Sequence, residues 1–170
     1  MGDIYVELAR QSLTSYIKDG KKLQMPEGLP EELMNRRAGA FVSLHKNGEL
    51  RGCIGTIGPT TYCVAQEIIN NAISASTEDP RFNPITPDEL SGLEINVDVL
   101  GTPESIESPK ELDVKRYGVI VTSGNRRGLL LPDLDGVDSV EQQISIAMQK
   151  AGIRPGEKIR LQRFEVVRHI

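Results

Sequence analysis

The chain has 170 residues, of which 26% are charged and 38% hydrophobic, a composition typical of one globular domain and not of a disordered segment or a coiled coil. Its 20 basic and 24 acidic residues give a net charge of −4, which disfavours a protein that coats a nucleic-acid backbone. No apolar run is long enough to span a membrane and no secretory signal is present, so we expect a cytoplasmic protein with reduced cysteines.

In the first half of the chain, apolar periodicity and turn residues predict helices on either side of a β-hairpin. Asp19-Gly20 ends the first helix, and Asn47-Gly48 suits the type I′ turn of a hairpin. Gly52 and Gly55 weaken the returning strand unless a backbone or a ligand approaches closely. The predicted elements are, in chain order, helices over residues 5–19 and 31–35, strands over 40–45 and 50–57, and a helix after Thr60-Thr61 whose apolar face runs from Val64 to Ile73.

The second half of the chain predicts shorter strands and one more long helix. After an irregular loop over residues 77–85, Thr86, Pro87 and Glu89 have the pattern of a capping box that begins a helical turn. The remaining elements predicted are a strand with one wet face over 93–99, a hairpin from 117–123 to 129–131, a helix from Ser139 to Gly152, and a last strand over 158–167 with a bulge between Leu161 and Phe164.

Hairpins mixed with helices, without strict alternation of strand and helix, favour an α+β fold. We expect one domain over residues 1–170 in which helices flank a mixed or antiparallel sheet. The irregular middle of the chain is compatible with a division of that domain into two unequal lobes.

Cys53 is the first candidate for a reactive residue. Arg51 lies two positions before it, and a neighbouring guanidinium favours the nucleophilic thiolate, provided that no bulge separates the two side chains in the strand. The alternative is that Cys53 is a small buried hydrophobic residue, as unpaired cysteine usually is, and residue spacing alone favours that alternative. A nucleophilic cysteine usually needs a base, and the only histidines are His45 and His169.

The second candidate is the loop Asp79-Pro80-Arg81-Phe82. Its aspartate and arginine could present a carboxylate and a fork of donors to an anionic ligand. They could equally form an internal salt bridge that ties the loop to the body of the domain. The sequence has no phosphate-binding glycine motif and no metal-ligand spacing, so we predict no cofactor and no metal.

Five segments in order resemble the AMMECR domain family, and the resemblance covers nearly the whole chain. The six residues from Leu50 to Gly55, Leu-Arg-Gly-Cys-Ile-Gly, are the most specific of them. The other four are Ala40-Phe41-Val42-Ser43-Leu44, Asp79-Pro80-Arg81-Phe82, Gly128-Leu129-Leu130-Leu131-Pro132 and Lys150-Ala151-Gly152-Ile153. The chain departs from the commoner pattern of the family at residues 133–138.

The resemblance implies an α+β fold of two unequal lobes with a cleft between them, but no established activity. The chain looks most like the microbial branch called AmmeMemoRadiSam system protein A. That resemblance implies a Memo-like protein and a radical S-adenosylmethionine enzyme as partners. It also raises Cys53 and Arg51 to candidate catalytic residues. The substrate-binding candidates are Gly52, Gly55, Asp79 and Arg81.

Two functions follow as alternatives. In the first, the chain is an enzyme or an enzyme subunit, in which the two arginines hold a small anionic or modified substrate and Cys53 is the nucleophile. In the second, it is an adaptor without catalysis, in which Cys53 only packs. Nucleic-acid binding is a weaker third reading, because the net charge is negative and stacking aromatic residues are few.

Overall fold

A computed structural model describes residues 2–170 and contains four α-helices and eight β-strands within them. The helices are α1 (Ile4–Asp19), α2 (Glu31–Asn35), α3 (Val64–Thr77) and α4 (Val140–Ala151). The strands are β1 (Ala40–Lys46), β2 (Glu49–Gly55), β3 (Leu93–Leu100), β4 (Glu104–Ile106), β5 (Gly118–Ser123), β6 (Arg126–Leu130), β7 (Arg160–Phe164) and β8 (Val166–His169). The predicted α+β class is therefore confirmed.

The chain divides into two compact units. The first ends at Leu100 and also contains Val167–Ile170, and the second is Gly101–Val166. Each unit has its own four-stranded sheet, with the order β2-β1-β3-β8 in the first and β4-β7-β5-β6 in the second. The cleft that the family resemblance implies stays an expectation.

In the first unit, the two long helices cover one face of the sheet. Alternate residues of β1 and β3 point to that face and are buried, as period-two strands require. They are Ala40, Val42, Leu44, Ile95, Val97 and Val99. The opposite face carries Phe41, Ser43 and His45 of β1 beside polar residues of β3, so one sheet has an apolar side and a polar side.

The predicted hairpin is confirmed with its type I′ turn, since Asn47 and Gly48 both have positive φ angles of 54° and 79°. Its register contains an irregularity that the turn does not foretell. Leu44 pairs with Gly52 whereas His45 pairs with Leu50, which leaves Arg51 as the extra residue of a β-bulge.

In the second unit, α4 packs against one face of the sheet formed by β4 to β7. Val119, Val121 and Leu130 form the core of this unit with Ala147 of α4. Strand β4 falls in a stretch with Pro103 and Pro109 nearby, for which the sequence predicts only a turn region.

The predicted last strand over 158–167 is wrong in one respect. The chain forms two strands in two different sheets, with β7 ending at Phe164 and β8 beginning at Val166. Leu161 and Phe164 both lie in β7, whose pairing with β5 has no register shift between them, so the predicted bulge is wrong. No helix of residues 2–170 has both the length and the apolar character needed to cross a membrane.

Candidate functional site

The strand that carries Cys53 lies close to its neighbours at both glycines. A Cβ atom on Gly52 would lie 2.2 Å from the carbonyl oxygen of Ala75 in α3. A Cβ atom on Gly55 would lie 2.3 Å from the ring of Phe41, its cross-strand partner. The close backbone approach expected from these glycines is thus an approach within the fold, and their role in substrate binding stays a prediction.

Cys53 sits on the polar side of the sheet, directly opposite Ser43 in β1. The Ser43 hydroxyl and the Cys53 sulfur form a hydrogen bond of 3.2 Å, in which either can donate. Cys53 is only partly buried, whereas Cys63 is completely buried next to the start of α3. The two cysteines therefore differ in access, and Cys53 is the one that a reagent or substrate reaches more easily.

The loop after α3 is fastened to the backbone of Cys53. The amide N–H of Cys53 donates to Oδ2 of Asp79 at 3.0 Å, and Nη2 of Arg81 donates to the carbonyl oxygen of Cys53 at 3.4 Å. The two peptide groups that flank the Cα atom of Cys53 are thus held by one loop. The sequence motif around Cys53 and the Asp79-Pro80-Arg81-Phe82 motif, 26 residues apart, form one structural cluster.

Asp79 and Arg81 form a two-point ion pair within this cluster. The Nε and Nη2 atoms of Arg81 donate to the two carboxylate oxygens at 3.0 and 2.8 Å. Hydrogen bonding from Arg81, followed by the N–H of Cys53, holds the pKa of Asp79 at about 2. The carboxylate is buried, but 56% of the Arg81 side chain is exposed, so the guanidinium faces solvent from one side.

Arg51 makes a different set of contacts. Its Nε and Nη2 atoms each donate to Glu89 at 3.1 Å, and its Nη1 donates to the carbonyl oxygen of Asn83 at 2.8 Å. Lys46 also reaches the Glu89 carboxylate, at 3.0 Å. Hydrogen bonds from Arg51 first, and then from the backbone of Thr86, hold the pKa of Glu89 at about 2. Arg51 therefore fixes the loop and the capping-box turn that follows it.

Within residues 2–170, the two histidines make their contacts elsewhere than at the thiol. His45 pairs with Leu50 in the hairpin, on the other side of the bulge from Cys53. His169 stacks on the ring of Tyr5 at 3.7 Å between centroids and forms a 2.7 Å hydrogen bond with Asp3. It is therefore a packed residue of the first unit.

Two polar residues of the first unit were not identified from the sequence. Ser43 is an ordinary strand residue by pattern, and only the hairpin register reveals its contact with Cys53. Glu67 interrupts the apolar face of α3 and is fully buried. A charged residue inside an apolar helical face is a signal that could have identified it. Within the described residues, no three His, Cys, Asp or Glu side chains come together as a metal site.

This cluster can do two things chemically. A hydroxyl next to the sulfur and a guanidinium close by both favour the thiolate over the thiol. The pKa of Arg81 is raised, first by its hydrogen bond to Asp79 and last by the charge of Cys53. The exposed edge of Arg81 can also receive an anion, because an arginine fork offers donors on more than one edge.

Comparison with known proteins agrees with the fold. The AMMECR1 family model matches residues 6–169. A Thermotoga maritima protein is 52% identical over 97% of this chain and 96% of its own length. A Clostridium acetobutylicum protein is 51% identical over 98% of this chain, which spans only 36% of that longer protein. The crystal structure of uncharacterized protein PH0010 from Pyrococcus horikoshii superposes with a TM-score of 0.91 at 33% identity, covering 98% of this chain and 89% of that one. This chain belongs to the AMMECR1 family.

Proposed function

We propose that this chain is a cytoplasmic enzyme, or the subunit of one, that uses Cys53 as a nucleophile towards a small anionic substrate. The observation that carries the proposal is the joint position of three groups. The Cys53 sulfur contacts the Ser43 hydroxyl at 3.2 Å, and the half-exposed Arg81 guanidinium donates to the carbonyl oxygen of Cys53.

Arg81 is the group that would contact the anion. Its Nε and Nη2 atoms are engaged by Asp79, and its Nη1 atom makes no hydrogen bond to any residue in the described range 2–170. An arginine whose far edge is open can bind a carboxylate or phosphate while Asp79 keeps it oriented. Asp79 is thus proposed as a positioning residue, and Gly52 and Gly55 as the residues that allow the strand to pack closely.

Arg51, a candidate catalytic residue by its place in the motif, has a supporting role in this proposal. Its donors are directed at Glu89 and at the loop carbonyls of Asn83 and Pro84. It therefore supports the loop that carries Asp79 and Arg81. In this arrangement the charge next to the thiol comes from Arg81.

The chemical step would be a substitution at an electrophilic carbon of the substrate. The sulfur forms a bond to that carbon, the bond to the leaving group breaks with its electron pair, and the thiol proton passes to the leaving group or to water. The Ser43 hydroxyl, as a hydrogen-bond donor to sulfur, stabilises the thiolate before the attack.

The test uses two alkylating reagents that differ in charge. In a single-thiol Cys63→Ala protein, the rates of alkylation of Cys53 by iodoacetate and by iodoacetamide are measured, with a small free thiol as reference. A local cation raises the ratio of iodoacetate to iodoacetamide rates above the reference. We expect a ratio several-fold above it, which Arg81→Gln abolishes.

The matched control is Arg154→Gln, which removes the same charge at an exposed position of the second unit. It should leave the ratio unchanged. A Cys53 that reacts no faster than a buried thiol with either reagent would refute the nucleophile. A ratio equal to that of the reference thiol would refute Arg81 as the anion contact.

The second candidate is an adaptor that acts within a larger assembly. It is favoured by the Clostridium acetobutylicum relative, in which the region like this chain is about a third of a longer protein. We propose a Memo-like protein and a radical S-adenosylmethionine enzyme as the partners, since the family branch resembled implies them. Sedimentation of the three purified components at micromolar concentration tests this, and the absence of any complex would oppose it.

A further inference from the structure

Two arginines and a threonine form a row across the second sheet. Thr122 in β5 pairs with Arg127 in β6 on one side and with Arg160 in β7 on the other. Directly paired residues of adjacent strands have their side chains on the same face, with Cβ atoms about 5 Å apart. Two positive charges therefore flank one hydroxyl on this face. The α4 helix packs on the opposite face, against Val119 and Val121.

These two arginines differ from their neighbours in their partners. Arg126, next in sequence to Arg127, forms an ion pair with Glu157, and Arg163 forms one with Glu104 at 3.4 Å. No carboxylate of residues 2–170 lies within ion-pair distance of Arg127 or Arg160. Arg127 and Arg160 lie on either side of β5, about 10 Å apart at the backbone, so two long side chains can reach the same anion. The row therefore has unused capacity for an anion.

The row lies in a cavity of about 580 Å³ within the second unit. Ser105 and Gln162, which are paired residues of β4 and β7, add a hydroxyl and an amide group to its wall. Ile106 and Ile159 add apolar surface, and Glu107 adds one carboxylate. A volume of this size is in the range of sites for small organic ligands.

We propose that this cavity binds the phosphate group of a small phosphorylated molecule, between Arg127 and Arg160 and above Thr122. A planar carboxylate is satisfied by one arginine fork, whereas a tetrahedral phosphate has enough oxygens to accept from two arginines and a hydroxyl together. The apolar residues at the rim would contact the rest of the molecule. Glu107 opposes an anion, and so limits the affinity.

The site is separate from the Cys53 cluster, since all its residues belong to the second unit and all the residues of that cluster belong to the first. The two proposals can therefore fail independently. A loss of phosphate binding in an Arg127 variant says nothing about the alkylation ratio of Cys53, and the reverse also holds.

The test is a titration of the isotope-labelled full chain with inorganic phosphate, in which NMR measures the amide chemical shifts. A parallel titration uses acetate at equal ionic strength. We expect saturable shifts in β4, β5, β6 and β7 with phosphate, and weaker ones with acetate. Arg127→Gln and Arg160→Gln should each weaken phosphate binding about 10-fold, the usual effect of losing one charge-assisted hydrogen bond. Glu107→Gln should strengthen it, because a repelling charge is removed.

The matched control is Arg126→Gln, one residue away and on the opposite face, with the same loss of charge. It should change the affinity by less than about 2-fold, as expected for a screened charge. Arg127→Lys retains the charge and guards against a variant that fails to fold. Shifts that do not saturate, or an equal effect of Arg126→Gln and Arg127→Gln, would overturn the proposal.

Discussion

The backbone N–H of Cys53 donates to Oδ2 of Asp79 at 3.0 Å, which joins the hairpin to the loop that follows α3. The same carboxylate holds Arg81, so one buried side chain orients both the thiol-bearing peptide and the guanidinium next to it. Asp79 cannot be replaced by a neutral residue without losing charge compensation at Arg81. This makes Asp79 the residue through which the geometry of the cluster is most directly tested.

We expect the stability of the protein to fall steeply in acid because of Asp79 and Glu89. Both carboxyls have a pKa of about 2 in the folded protein, against usual values of 3.8 and 4.5. A lowered pKa means that the stabilisation is complete above about pH 5 and is lost as the pH falls towards 2. Urea unfolding at a series of pH values measures this loss.

Asp79→Asn isolates the share of Asp79 in this acid dependence. At pH 7 the variant should lose about 1–2 kcal/mol, a value reduced because water screens the exposed Arg81. The difference from the parent protein should shrink towards pH 2, where Asp79 is protonated in the unfolded chain and about half protonated in the folded one. Glu94→Gln, at an exposed position of β3, is the control and should change stability by less than about 0.5 kcal/mol at any pH. A difference that persists at pH 2 would contradict the ion-pair explanation.

Replacement of Arg51 should affect stability and not the anion preference of Cys53. Arg51→Gln removes two bonds to the largely buried Glu89 and one to the Asn83 carbonyl, so we expect a loss of about 2–3 kcal/mol. The ratio of iodoacetate to iodoacetamide rates should stay that of the parent. A ratio that drops as far as in Arg81→Gln, with unchanged stability, would instead assign Arg51 to the anion site.

Local sequence patterns predicted much of the fold because the physical cause was local. Asn47-Gly48 supplies the positive φ angles that a type I′ turn needs, and Gly20 supplies one at the end of α1 with φ of 67°. Thr86 and Glu89 form the predicted capping box, although the element that follows is a 3₁₀ helix over Pro87–Gly92. In each case the residues that decide the structure are within a few positions of one another.

The candidate site was only partly predictable, since its contacts join distant segments. The two motifs that carry Cys53 and Arg81 were identified, but their direct contact depends on how the loop after α3 packs against β2. The bulge at Arg51 arises from cross-strand register, which a hairpin turn does not fix by itself. Strand β8 likewise pairs in a different sheet from β7, and nothing in the alternation of residues 158–167 names the partner strand.

Gly52→Ala should be strongly destabilising, because the added methyl group would lie 2.2 Å from a backbone carbonyl oxygen of α3. Backbone atoms of a packed helix cannot move aside as a flexible side chain can, so we expect a loss of about 3 kcal/mol. Gly58→Ala is the matched control, since a Cβ atom there meets no atom within 4 Å. It should be neutral within about 0.5 kcal/mol. Thermal unfolding of both variants decides the point, and similar effects of the two would contradict the packing role of Gly52.

Glu67→Gln should destabilise the segment that links β2 to α3. The buried carboxylate accepts hydrogen bonds from the Thr56 hydroxyl at 2.6 Å and from the Thr61 amide at 2.7 Å, and also from the backbone and side chain of Thr60. Burial by itself would raise the pKa of Glu67, but these hydrogen bonds outweigh it and hold the pKa below its usual value of 4.5. The group therefore stays ionised in the folded protein at neutral pH.

In the Glu67→Gln variant the amide NH₂ turns a donor towards groups that themselves donate, and one acceptor is lost. We expect a loss of about 2–3 kcal/mol at pH 7, measured by urea unfolding, because buried donors are left without acceptors. Since the folded pKa is lowered, the contribution of Glu67 is present above its usual pKa and disappears as the pH falls through the folded value. Glu78→Gln, an exposed residue at the end of the same helix, should cost less than about 0.5 kcal/mol. Equal losses in the two variants would mean that helix charge, and not the buried hydrogen bonds, explains the effect.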